Sequence, residues 1–485
     1  MRYLTRGILV AILLGPTGAQ GQEIRGTLQT HAQITEFRPL AVDSIPRDQV
    51  KETPTGRFLF EGAPVYCVSR LVCIRYRSAG VEAGTAVTQH GSFAAWDLGV
   101  QGLSVVASGR LRGRFGGDMV WPRSDDAFDL VQGYAELVRD RYRVRLGRQQ
   151  VYSGLGRSGF DGLSARGRLG ERWRVEAYAG RSLARALNEP RAEAFRNMED
   201  LLPDRTVLLF GASAQGDIAS LVDVTFRYQR EIFSDRSALV SERAGADLRA
   251  YPFDRVRVDL GLDADLALAR LGKADLSVFL PLGRSRGSLE LMFRRYLPYF
   301  ELWTIWGFFS PVPYHEVELR GSWAPWPGVS LQASGSHRWY GDPESSTILS
   351  PLEDRGWRGT LAGSWAVAPA LTVRGSYRLE WGAGAYLSSG DVRVAWSRGD
   401  RLSVEIHGTA LQQLEEFRLG NGTTYGAGVD LGWNLWEAYR WHLGGMVFRN
   451  TWENRPGEPD WNQLRVWTSL TVQVGSDPGL AGRTP

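Results

Sequence analysis

RVRVDLGLDADLAL, residues Arg255–Leu268, carries an apolar or small side chain at every second position: Val256, Val258, Leu260, Leu262, Ala264, Leu266 and Leu268. Between them stand Arg257, Asp259, Gly261, Asp263, Asp265 and Ala267. A period of two belongs to an extended strand, whose successive side chains point to opposite faces. One face here is hydrocarbon and the other mostly charge. A soluble sandwich would bury the apolar face on a core. A membrane barrel would turn that face to lipid and give the charged face to a lumen.

Composition and the N-terminus favour the second setting. The chain has 485 residues, 43% hydrophobic and 23% charged, too apolar for a disordered chain. Glycine is abundant at 57, and aromatic residues reach 11% with 18 Trp, while apolar runs stay short. Arg2 and Arg6 precede the apolar Gly7–Leu14, and Thr17, Gly18 and Ala19 supply small residues for cleavage. Residues 1–21 therefore read as a secretory signal peptide, too short to cross a bilayer as a helix. Beyond it no run approaches 18 apolar residues, so no transmembrane helix is expected. The net charge of +4 is spread over both signs and matches no nucleic-acid-binding module.

Alternation recurs along the chain. Ile24–Phe37 is a first strand, and from about residue 85 to Val474 further alternating segments follow, for 22 in all, with 18–22 as the plausible range. Very short connections sit at every other junction: Gly102, 139–141, 170–172, 218–221, 253–255, 284–287, 326–328, 369–370, 398–401 and 436–440. The junctions between them are mostly longer and more polar. Short turns at one end and long loops at the other are the plan of an outer-membrane barrel. Trp323, Trp326, Trp365, Trp396, Trp433, Trp436 and Trp441 fall beside short turns, and Trp339, Trp357, Trp381 and Trp452 beside long loops, as two interfacial girdles would require. The expected fold is an all-β, transmembrane, antiparallel up-and-down barrel over residues 22–475. It is interrupted by a long irregular loop at 38–85, rich in proline, and followed by a flexible tail at 476–485.

The face opposite the apolar one is hydrophilic throughout. A charge at the bilayer midplane costs about 2–4 kcal/mol for Arg or Lys. Arg143, Arg145, Arg227, Arg257, Asp259, Asp263, Asp265, Glu318, Arg320, Arg374, Arg378 and Glu380 are therefore the candidate lumen-lining residues. They either guide a solute or pair with one another across strands. Cys67 and Cys73 are the only cysteines and form the candidate disulfide of an exported protein. The six His are scattered and form no metal motif, and neither a nucleophile elbow nor a phosphate loop is present. No catalytic residue, metal or cofactor is expected.

One segment resembles a known family. YRVRLGRQQVYSGLGRSGFDGLSARG, Tyr142–Gly167, is similar to porins of the alginate-export type at Leu146, Gly147, Arg148 and Gln149 and again at Phe160, Asp161 and Gly162. The resemblance implies an outer-membrane barrel with basic residues along a route for an anionic polysaccharide, and adds Arg148 to Arg143 and Arg145 as lumen candidates. Such porins are usually read as 18-stranded.

The function expected is an outer-membrane channel, porin or exporter, for polar or charged solutes in a Gram-negative-type envelope. Its partners are membrane lipid and the solute, with a periplasmic partner or protein plug as a further one. No plug-sized segment precedes residue 24, which disfavours a TonB-dependent receptor. Two alternatives remain: a sheath around a partner protein such as a multihaem cytochrome of an electron conduit, and a barrel enzyme.

Overall fold

In a computed structural model, residues 23–475 are described apart from 39, 54–57, 62, 97, 116–126, 184–205, 220, 236–237, 254, 284–285, 298–312, 342–354, 383–384, 416–421 and 453–459. The wall begins with β1 (Glu23–Phe37). Five short strands follow: β2 (Leu40–Pro46), β3 (Lys51–Glu52), β4 (Phe58–Phe60), β5 (Ala63–Cys67) and β6 (Val72–Ser78). The wall resumes with β7 (Glu82–Trp96), β8 (Leu103–Phe115), β9 (Phe128–Val138), β10 (Tyr142–Ser153), β11 (Gly156–Leu169), β12 (Trp173–Ser182), β13 (Val207–Ala219) and β14 (Val222–Phe233). Then come β15 (Leu239–Phe253), β16 (Val256–Asp265), β17 (Arg270–Pro281), β18 (Gly287–Tyr296), β19 (Tyr314–Trp323), β20 (Val329–Tyr340) and β21 (Arg355–Ala368). The last are β22 (Leu371–Gly382), β23 (Ala385–Arg398), β24 (Leu402–Glu415), β25 (Gly422–Trp436), β26 (Tyr439–Trp452) and β27 (Trp461–Val474).

The 22 wall strands form one antiparallel sheet in chain order, and β1 closes it against β27, from Gly26 opposite Val474 to Thr35 opposite Arg465. Closure gives every wall strand a neighbour on both sides, the condition for strands to stand in hydrocarbon where no water can satisfy an open edge. Each alternating segment of the sequence is a wall strand, and the short connections gather at one end with Glu23 and Val474. The fold is a transmembrane β-barrel of 22 strands.

The outer face is apolar. Leu146, Phe226, Leu260, Leu262, Leu291, Leu319, Leu361, Ile406, Val429 and Val447 are all exposed on it. Trp323, Trp326, Trp365, Trp396, Trp433 and Trp436 are exposed toward the short-turn end, and Trp339 and Trp357 toward the other. Trp452 departs from the girdle: it lies opposite Gly422, on the inward face it shares with Asn450.

Two expectations are corrected. First, the 38–85 segment is not irregular. Its five strands make a separate antiparallel sheet in the order β2-β6-β5-β4-β3. A small core of its own, Ile45, Val50 and Cys73, is packed by Phe58, Phe60, Val65 and Cys67. Strands this short show no period in the sequence. Cys67 and Cys73 face each other across β5 and β6 and are joined as a disulfide. Second, β16 ends at Asp265, short of Leu268. Residues 266–269 form a turn, with Ala269 at a φ of 51°. The Asp265 carboxylate accepts the Leu268 N–H at 3.2 Å, so its part is to cap that turn.

Candidate functional site

The candidate site is the lumen wall. Its inner-face charges stand opposite one another because antiparallel register places Arg243, Gly245, Asp247 and Arg249 of β15 against Asp265, Asp263, Gly261 and Asp259 of β16. Asp259 takes Arg249 and Arg257, each at 2.7 Å. Asp263 takes Arg243 at 2.6 Å, and Arg227 pairs with Asp247. Arg143 and Arg145 share Glu136 at 3.3 and 2.5 Å. Arg320 sits between Glu318 at 3.0 Å and Glu290 at 3.5 Å. Glu380 binds Arg358 of the adjacent strand at 3.0 Å and Arg338, two strands away, at 3.5 Å. Arg338 also reaches Glu316 at 3.0 Å. Arg374 and Arg378 share the inward face of β22 with Glu380. Arg374 lies opposite Arg393, and Arg378 opposite Thr360 and Ser389.

This is a lattice of mixed sign rather than a wall of one sign. The exposed pairs contribute about 0–1 kcal/mol each, whereas Arg243–Asp263 and Arg338–Glu316 are nearly buried, and removing one member of such a pair is costly. Their effect on a solute is weak in either case, because opposite charges a few ångströms apart cancel at distances large compared with their separation and salt screens what remains.

The β10–β11 hairpin breaks the pattern. β10 pairs with β9 from Arg143 opposite Val138 only as far as Arg148 opposite Gly133, although β9 continues to Phe128 and β10 to Ser153. Past that row the hairpin leaves the wall and folds onto its inner face. The Leu155 carbonyl accepts a hydrogen bond from the Arg243 guanidinium of β15. Ser158 and Tyr178 both donate to Gln229 of β14, at 3.4 and 3.1 Å. A Cβ on Gly154 would lie 2.6 Å from Arg227 Nη1, and one on Gly245 3.0 Å from Leu155 Cδ2. Gln229, Arg243 and Gly245 all belong to the inward face, so the tip lies inside the barrel.

Glycine permits the fold. Gly147, Gly162 and Gly180 stand in one row across β10, β11 and β12. Gly147 has a φ of +129°, which side chains rarely adopt, and a Cβ there would overlap the Gly133 carbonyl. A Cβ on Gly162 would overlap the Ala179 carbonyl. Where the β9–β10 ladder ends, Arg148 takes its place: one nitrogen donates to the Leu130 carbonyl at 3.1 Å, and two others grip Asp161 at 2.7 and 2.9 Å.

An apolar core forms between hairpin and wall. Phe160 and Leu209 are fully buried, Tyr178 stacks on Phe160 at 5.6 Å between centroids, and Val151 packs against them. Gln149 is buried beneath, donating to the Gly162 carbonyl and accepting from Ser164 at 2.6 Å. The residues of the family resemblance thus meet at this fold line. Uniform reading of the alternation missed it, yet a signal is present: after Leu146 the lipid-side positions become Arg148, Gln150 and Tyr152.

On the far side of the lumen the inner face is less charged. Asp430 accepts the Trp467 indole N–H at 2.9 Å and lies 3.4 Å from His407 Nδ1. Among the described residues no group of three metal-ligating side chains forms.

No family model matches the chain, and no curated protein does, so the alginate-export resemblance rests on its own residues. Solved structures do match. A siderophore receptor from Pseudomonas aeruginosa is 12% identical over 94% of this chain and 81% of its own, with a TM-score of 0.54. A BenF-like porin from Pseudomonas fluorescens is 9% identical over 94% and 99%, with a TM-score of 0.43. At such identity the likeness to the receptor is one of fold, a closed antiparallel β-barrel.

Proposed function

We propose that the protein is a channel of the outer membrane through which polar or charged solutes pass. The observation that supports this best is the sorting of side chains: ion-paired and hydroxyl groups inside, Leu, Val, Phe and Trp outside, around a closed wall of 22 strands. A wall of that number encloses a lumen wide enough to need something that narrows or occupies it, and on this reading the inward hairpin narrows it. On this reading the short turns face the periplasm and the β2–β6 sheet stands at the outer surface. Residues 1–21, the expected export signal, lie outside the described residues.

The test is reconstitution of the detergent-purified protein into a planar lipid bilayer. Discrete conductance steps are expected. A folded barrel that inserts and stays electrically silent contradicts the channel, and a haem protein co-purifying with that silent barrel favours the sheath instead. The polysaccharide route implied by the family resemblance predicts that an anionic oligosaccharide blocks the steps.

A further inference from the structure

We infer that the inward-folded tip of the β10–β11 hairpin is the constriction of the channel, and that Arg157 on it gives the pore an anion preference. This rests on the channel reading above and adds the selectivity element to it.

Alternation on the hairpin sorts its two faces. Gln149, Val151, Ser158 and Phe160 face the barrel wall, as the contacts of Ser158 with Gln229 and of Phe160 with Tyr178 and Leu209 show. Gln150, Tyr152 and Arg157 lie on the opposite face of the ladder, turned from the wall toward the lumen, where Tyr152 is 70% exposed and Arg157 is exposed too. The tip reaches from β10 and β11 to β15 and so obstructs the lumen over that arc.

Arg157 keeps neutral company, unlike the arginines of β14 to β16; Arg465 of β27, beside Gln463 and Phe448, is held likewise but stands in the wall and not on the tip. Gln150 Oε1 accepts from its Nε at 3.1 Å and its Nη2 at 2.6 Å, and its guanidinium carbon lies 5.3 Å from the centre of the Tyr152 ring. Both partners are neutral. The neighbouring cation on the hairpin, Arg148, is matched by Asp161. Arg227, Arg243, Arg249 and Arg257 are matched by aspartates. A guanidinium held by neutral groups keeps its full field, and a low-dielectric wall focuses that field along the passage. The ligand class is an anion that a guanidinium fork can grip in two places, a carboxylate or a phosphate.

The test is the reversal potential of the reconstituted channel in a potassium chloride gradient. The wild-type protein is expected to prefer chloride. Arg157→Glu should lower the chloride-to-potassium permeability ratio by about threefold or more, while Arg157→Lys keeps the preference and Arg257→Gln moves the ratio less. To guard against misfolding, Arg157→Cys is opened in the bilayer and then modified by a negatively charged methanethiosulfonate. A drop in chloride preference within the same open channel is expected. Conducting channels whose ratio is the same in wild type, Arg157→Glu and the modified Arg157→Cys would overturn this inference and leave the channel standing. Absence of conductance from folded wild-type protein would overturn the channel itself.

Discussion

β16 and β10 both rise from a short turn with apolar side chains to lipid and charge to the lumen. β16 keeps that sorting to its end, through Leu260, Leu262 and Ala264. β10 keeps it through Tyr142, Val144 and Leu146, then exchanges its faces. The lipid side becomes Arg148, Gln150 and Tyr152, and the lumen side gains Val151. Held in the wall, Arg148 would meet hydrocarbon at a cost of about 2–4 kcal/mol. Folding inward at the glycine row turns that polar face to water and buries Phe160 and Leu155 against the inner wall, with Val151 packed beside Phe160. The same periodicity thus builds wall or inward fold according to which face holds the charge, provided glycine allows the bend.

The contrast can be broken in several ways. The largest effect is expected from Phe160→Ala, which empties the fully buried site between hairpin and wall and should destabilise by about 3–5 kcal/mol. Leu260→Ala, on lipid, should cost far less, and urea unfolding in lipid micelles compares the two. Next, Leu262→Arg should destabilise the barrel by about 2–4 kcal/mol. Tyr152→Arg, at a position that plain alternation also assigns to lipid, should leave the unfolding midpoint nearly unchanged. Equal losses at 262 and 152 would mean that the hairpin stays in the wall. Gly162→Val should displace the hairpin, because its side chain meets the Ala179 carbonyl. It should raise single-channel conductance, whereas Gly261→Ala, whose Cβ comes no closer than 3.3 Å to Asp247 Oδ1, should not. The smallest effect belongs to Ser158→Ala, which removes the tip's 3.4 Å hydrogen bond to Gln229 and should show as flickering of the open level rather than as lost stability.

Most of the barrel was legible in the sequence because wall strands obey one local rule. Val256–Asp265 states that rule in its own residues, and the spacing of short turns such as 369–370 and 398–401 states the parity. Three features were not legible because they depend on partners distant in the chain. The fold of Tyr142–Leu169 needs Gln229 and Arg243 to receive it. The identity of each ion pair needs the register: Glu380 reaches Arg338 across an intervening strand, which no spacing within β22 announces. The β2–β6 sheet hides because strands such as Phe58–Phe60 are too short to show a period. The acids of the opening stretch are also sharpened by structure, since Asp259 and Asp263 pair with arginines while Asp265 caps a turn. Most of these charges pair because opposite signs meet on adjacent strands.

The most direct test of the inward hairpin is a disulfide trap. Leu155→Cys with Gly245→Cys joins two sites that lie within contact distance only when the tip rests on β15. In intact outer membranes under mild oxidation, the account predicts rapid cross-linking of this pair, seen as a reducible mobility shift, and none between Leu155→Cys and a lipid-side Leu262→Cys. Failure of the first pair to cross-link, in a barrel shown to be folded, would contradict it.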